Sequence, residues 1–241
     1  QYTKELVTVV IATKLIDKIF SKIFYEVKTE KELDSYDSEK RDIPYLIFHE
    51  VSGKNLENIR YERIWEESPL PLDNPENAFR VISGDFVTTD EGTGIVHTAP
   101  TFGADDYRAA KSAKPEVPPL QVLDKNGIKV PLVDLKGKFI DGIGLISGKY
   151  VKNEYYESDS IPEKSIDVEI SIRLKELNRA FKVEKYSHSY PHCWRTDKPV
   201  LYYPMESWFI KMDSLSNRMF ELNQEINWKP KSTGDGRFGN W

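Results

Sequence analysis

Apolar positions recur at helical spacing in three places along the chain. Leu15, Ile16, Ile19, Phe20, Ile23 and Phe24 predict an amphipathic helix over residues 13–24. Ile166, Ile170, Leu174, Leu177 and Phe181 line one face of a second helix. Leu215, Met219, Leu222 and Ile226 line a third, with Asp213 or Ser214 as its cap. Other apolar runs are short and β-rich. Residues 6–12 read as a buried strand, residues 45–51 as a strand carrying His49, and residues 183–186 as a strand after the second helix. An imidazole inside an apolar strand, as at His49, is read as structural. Residues 117–123 and 128–133 flank Asp124-Lys-Asn-Gly127 and predict a hairpin, followed by Gly-rich irregular chain to about Tyr150. Residues 29–43 are mostly charged and read as a solvated, partly helical surface segment. Residues 53–64 read as a turn leading into a short sheet edge, and Pro69, Pro71 and Pro75 as an exposed loop. Strands and helices intermix without a βαβ rhythm, which predicts an α+β fold with a barrel-like sheet.

The chain is organised around residues 84–107. Residues 86–89 and 95–99 are β-rich, and Asp90-Glu-Gly-Thr-Gly94 between them has the glycines of a tight turn. Pro100 and Gly103 then break the strand pattern, and Asp105-Asp106 stands where a helix would begin. One imidazole, His97, therefore lies near a strand end, with two carboxylates across a short loop. A carboxylate can hold an ammonium group and orient a water, and a histidine can exchange a proton near neutral pH. The same two acids also suit a plain helix start, Asp105 as cap and Asp106 favouring the dipole.

Composition narrows the setting. The 241 residues are 39% hydrophobic and 30% charged, which describes an ordinary soluble chain long enough for a substantial core. A net charge of −5 argues against broad, sequence-independent nucleic-acid binding but leaves room for a local contact with an RNA end. One cysteine, Cys193, excludes an internal disulfide framework and fits a reducing compartment. No apolar run reaches the length of a membrane helix, so no membrane partner is expected. A start at Gln1 and an end at Trp241 suggest a piece of something longer.

Two further motifs carry less. His188-Ser-Tyr-Pro-His192-Cys193 offers two imidazoles and a thiol, but no second paired ligand motif accompanies them, so no metal is expected. Gly234-Asp-Gly236-Arg-Phe-Gly239 matches the dinucleotide-binding spacing but has no buried strand before it, and that reading is rejected.

Gly92-Thr-Gly-Ile-Val-His97-Thr-Ala-Pro100, followed by Phe102-Gly-Ala-Asp-Asp106-Tyr107, resembles the editing domains of isoleucyl-tRNA synthetases, class I aminoacyl-tRNA synthetases. So do His188-Ser-Tyr-Pro-His-Cys-Trp-Arg195 and Thr8-Val-Val-Ile-Ala-Thr-Lys14. Glu206-Ser-Trp-Phe-Ile210 and Gly236-Arg-Phe-Gly-Asn-Trp241 resemble the return toward the synthetic core, with Trp208 at the edge of the synthetic pocket. The resemblance implies a mostly antiparallel barrel-like editing domain with peripheral helices over residues 1–187, and a return segment with a terminal helix over residues 188–241. It implies hydrolysis of the ester in valyl-tRNA(Ile), with the acceptor end of that tRNA and the rest of the synthetase as partners, in the cytoplasm. Asp106 would hold the substrate's ammonium and His97 would line the amino-acid pocket, the two forming the catalytic pair. Thr98, Phe102 and Asp105 would complete the substrate site. No cofactor is implied for editing, because ATP serves only the synthetic domain. A Thr-rich strand forming the opposite pocket wall is expected before residue 1, and Thr101-Phe102 stands where bacterial relatives often carry Gly-His. Valyl-type enzymes, which usually carry Lys where His97 stands, and a silent module that only docks the tRNA end are the alternatives.

Overall fold

The helix predicted over residues 13–24 is cut short in the computed structural model, which describes residues 6–37, 39–205 and 207–240. One 3-10 turn, Thr13–Leu15, runs into α1 (Ile16–Ile19), which stops at Phe20. Lys22 takes φ +64°, and Phe24 opens a strand, β1 (Phe24–Glu26). Ring packing outweighs local propensity here. Phe20 stacks on Tyr45 at 4.6 Å and meets Phe24 edge-on at 5.1 Å. Both contacts follow from a chain that leaves the helix after Ile19.

β1 pairs in parallel with β2 (Ile43–Tyr45), Phe24 standing opposite Ile43. Parallel neighbours need a crossover of a dozen or more residues. The charged segment supplies it through α2 (Glu30–Asp34), whose N-terminus is closed by a Thr29–Glu32 capping box. A small βαβ unit is thus present where none was expected. β2 begins earlier and ends sooner than predicted, leaving His49 outside it and exposed.

The described residues hold two two-stranded sheets, and neither closes. The fold is therefore mixed α/β with small sheets, and the barrel-like, mostly antiparallel sheet is not found among them. Closure requires every strand to have two neighbours. Residues 6–12, 86–89, 95–99 and 183–186 have strand composition but lie outside any ladder. Residues 6–12 are anchored by Ala12, whose N–H donates to Thr93 O at 2.8 Å, while Leu6 and Val10 are exposed.

The second sheet is the predicted hairpin. β3 (Gln121–Leu123) pairs antiparallel with β4 (Lys129–Pro131), Val122 opposite Val130. Its turn is built by Asp124, whose Oδ1 accepts from the N–H of Asn126 and of Ile128, both at 2.8 Å, while Gly127 takes φ +77°. The Ile128 N–H, followed by Asn126, holds the Asp124 carboxyl below its ordinary value of 3.8. A depressed carboxyl stabilises the fold fully above its ordinary value and loses that contribution as pH falls through the folded value. Amide protection factors across residues 121–131 should therefore drop below about pH 4. Asp124→Ala should show the lower protection at every pH. Protection that is flat from pH 6 to pH 3 would contradict the role given to this carboxylate.

The main apolar cluster gathers Ile143, 2% exposed, with Ile146 and Ile166, and packs Trp65, Phe139, Ile140 and Ile170 around them. The indole N–H of Trp65 donates to Ile143 O at 3.1 Å, so the ring enters the core with its polar edge satisfied. Ile166 and Ile170 come one turn apart from α4 (Ile166–Glu176). Asn178 at φ +56° ends this helix, so Phe181 falls outside the predicted face, and residues 183–186 form no strand.

The chain packs as two compact units, Gln1–Pro204 and Met205–Trp241. The second contains the predicted terminal helix, α5 (Ser216–Glu225), which neither Asp213 nor Ser214 caps through its side chain. After it, Trp228 stacks on Phe238 at 4.7 Å and its N–H donates to Asn223 Oδ1 at 2.9 Å. Asn223 Nδ2 in turn donates to Gly234 O at 3.2 Å, within a π-helical turn, Thr233–Phe238. Gly234 is thus used for packing, its missing Cβ leaving room for the Trp228 ring. Glu206 and Trp241, which belong to the motifs quoted above, lie outside the described residues. Among the described residues no helix is long and apolar enough to cross a membrane.

Candidate functional site

α3 (Ala104–Ser112) begins where Pro100, Gly103 and the paired acids predicted it. Gly103 is its N-cap and has no side chain to satisfy the first N–H groups. The chain enters by a turn in which Ala99 O accepts from Phe102 N–H at 3.0 Å and Gly103 N–H at 3.2 Å. Asp106, the third residue of the helix, reaches back across that turn, and its Oδ2 accepts from Ala99 N–H at 2.9 Å. A Cβ at 103 would lie 2.6 Å from Asp106 Oδ2, so glycine there leaves the carboxylate room to reach the turn. The carboxylate is half-buried over the loop, at the positive end of a helix.

Asp105 does something different. It is exposed and ion-paired with Arg108 one turn on, an arrangement that contributes little in water. The two neighbouring acids thus point to separate environments, and Asp106 is the one tied to the loop. His97 is exposed and Thr98 half-buried, immediately before Ala99. Phe102 is half-buried and meets Tyr203 edge-on at 6.4 Å. The turn before His97 is formed, with Gly92 at φ +66° and Gly94 at φ +77°, although its flanking segments do not pair.

Sequence reasoning missed Thr101 as an anchor. Its side chain is buried, and its Oγ accepts from Leu120 N–H at 3.0 Å and donates to Leu120 O at 3.3 Å. The only signal was a hydroxyl between Pro100 and Phe102.

The motif at 188–195 sits elsewhere in the same unit. Cys193 N–H donates to Lys198 O at 2.9 Å and Asp197 N–H to Cys193 O at 2.8 Å, closing a tight loop with Asp197 at φ +53°. A hydrogen bond with Thr196, helped by the Arg195 and Thr196 backbone, holds the Cys193 thiol below its usual range. Among the described residues no group of three or more His, Cys, Asp or Glu side chains could hold a metal ion. The rings of Tyr186, His188, Tyr190 and His192 follow one another at 5.6, 6.0 and 6.3 Å. Tyr186 OH donates to Glu91 Oε2 at 3.2 Å, which ties this aromatic run to the turn before His97.

A half-buried carboxylate in the first turn of α3 and an imidazole in the chain just before it agree with the family drawn from the motifs. The family of tRNA synthetases class I (I, L, M and V) matches residues 3–241, and the chain belongs to it. Its relatives include the isoleucine–tRNA ligase of Cytophaga hutchinsonii, 49% identical over the whole chain and 22% of that protein's length. The isoleucine–tRNA ligase of Bacteroides fragilis is 46% identical over the whole chain and 22% of its length. That of Porphyromonas gingivalis is 45% identical over 98% of the chain and 21% of its length. The chain thus spans about a fifth of the length of the curated relatives it matches.

Proposed function

We propose that this chain is the editing region of an isoleucyl-tRNA synthetase and hydrolyses the ester that joins valine to tRNA(Ile). The observation that carries the reading is the Asp106 carboxylate, fixed by Ala99 N–H beside His97 in a chain of this family. One methylene separates valine from isoleucine, too little for a single hydrophobic pocket, so a second and smaller site is needed; isoleucyl-tRNA synthetases are the standard example of that argument. Asp106 holds the α-ammonium of the bound valyl ester. His97 walls the pocket against the larger isoleucine and places the reacting water. The water oxygen bonds to the ester carbonyl carbon, the bond from that carbon to the ribose oxygen breaks, and the ribose hydroxyl leaves with a proton. Valine and tRNA(Ile) are the products, and this hydrolysis takes no cofactor.

Thr98, Phe102 and Asp105 complete the substrate site on this reading. Residues 1–187 form the editing domain on this reading, and residues 188–241 lead back to the synthetic core. The aromatic run from the exposed Tyr186, with Lys152 Nζ 4.7 Å from the half-buried Tyr190 ring centre, suits the stacked bases and phosphates of a single-stranded RNA end.

The test replaces the matching segment of the Cytophaga hutchinsonii ligase with this chain and follows deacylation of valyl-tRNA(Ile) and isoleucyl-tRNA(Ile). The valyl ester should be cleaved and the isoleucyl ester spared. His97→Ala should raise cleavage of the isoleucyl ester about tenfold, the scale on which a pocket weighs one methylene. A chimera that binds the tRNA end yet leaves the valyl ester intact makes the chain a docking module instead.

A further inference from the structure

Among the described residues, Thr101 and Arg80 are the buried polar side chains, each 7% exposed. Arg80 is a packing element, held by Asn58, Asn77 O and Pro115 O. Thr101 lies in the turn that places Asp106. Its one hydroxyl spans both backbone groups of Leu120, accepting from the N–H and donating to the carbonyl. Leu120 directly precedes β3, so this pair of bonds fastens the turn to the hairpin across 19 residues of sequence. The turn has few other long-range fixings, because residues 95–99 belong to no ladder.

Within the turn, Ala99 is bonded on both sides. Its carbonyl accepts from Phe102 and Gly103, and its N–H donates to Asp106. A rotation of the turn about residue 101 would swing that N–H and the carboxylate with it. A site group moved by about an ångström from its productive place can lose much of its effect.

We propose that Thr101 is a positioning residue, which places the Asp106 carboxylate by clamping residues 99–103 to Leu120. The proposal rests on the editing reading for its effect on catalysis, and its geometric part stands apart from that reading. Valine at 101 keeps the shape but removes both hydrogen bonds, and serine keeps the hydroxyl. A methyl-for-hydroxyl change inside a buried turn also leaves Leu120 N–H unpaired, which adds to the loss of order.

The experiment uses the chimeric synthetase with Thr101→Val and Thr101→Ser, and reads steady-state deacylation of valyl-tRNA(Ile) and amide hydrogen exchange. Thr101→Val should raise KM about tenfold with kcat within about twofold, because a contact made in ground and transition states alike is lost. It should also speed exchange at Ala99 and Leu120 at least tenfold while leaving Ile143 and α4 unchanged. Thr101→Ser should return both readouts to within about twofold of the parent. The proposal is overturned if Thr101→Val leaves KM at the parent value, if kcat alone falls, or if serine is as impaired as valine. A parent chimera that cleaves no valyl ester refutes the editing reading instead. The clamp is then judged on exchange alone, and unchanged Ala99 exchange in Thr101→Val overturns it.

Discussion

Asp106→Ala in the chimeric synthetase is expected to lower kcat/KM for valyl-tRNA(Ile) hydrolysis about 10- to 100-fold, because a hydrogen bond to a charged group contributes about 1.5–3 kcal/mol. Two roles converge on this side chain. It accepts from Ala99 N–H at 2.9 Å, which orders the turn, and on the proposed mechanism its charge holds the substrate ammonium. Asp106→Asn separates them, since an amide oxygen can still accept from Ala99 but carries no charge. The asparagine variant should therefore keep slow exchange at Ala99 and lose nearly as much activity as alanine. Aminoacylation and affinity for the tRNA acceptor end should be unchanged in both. Parent-level hydrolysis by either variant would remove Asp106 from the mechanism.

Gly234→Ala carries the largest expected cost in stability. A Cβ at 234 would lie 2.0 Å from Trp228 Cδ1 and 2.6 Å from its Cγ, near the rigid root of the indole. The ring must move, and with it the stack on Phe238 and the hydrogen bond to Asn223. Overpacking of this kind costs about 1–3 kcal/mol, and the disturbed indole contacts take it toward the upper end. Gly236→Ala, two residues on, meets nothing within 4 Å and should be close to neutral. Urea titrations followed by amide exchange over residues 216–240 distinguish the two. Equal midpoints for the 234 and 236 variants would contradict the packing role, and with it the physical reason for a glycine at 234.

The candidate site was legible in outline because its signals are local. Pro100 and Gly103 stop one pattern, Asp105-Asp106 starts a helix, and the glycines at 92 and 94 permit the positive φ that the turn requires. Residue type alone did not say which acid turns inward, although the family resemblance singled out Asp106. Asp105 and Asp106 are equivalent as residue types, and only the close approach of Gly103 and the Ala99 N–H separate them. Thr101 was invisible for a related reason. Its partner is Leu120, and a hydroxyl bonded to a distant backbone leaves no periodicity in the sequence.

By itself, then, the sequence determined the features that residues settle with their immediate neighbours. These are the start of α3, the apolar faces of α4 and α5, the Asp124–Gly127 turn, and the motifs that place the chain in its family. A helix or a tight turn satisfies its own backbone within a few residues, so its chemistry is written nearby. Tertiary structure decided the rest. Residues 6–12 and 95–99 have strand composition yet stay out of any ladder, α1 yields to the Phe20–Tyr45 stack, and charged residues 29–43 become a parallel crossover. Strand composition describes a surface that fits a sheet, but the hydrogen bonds that make a strand belong to a partner elsewhere in the chain, and only the folded arrangement supplies it.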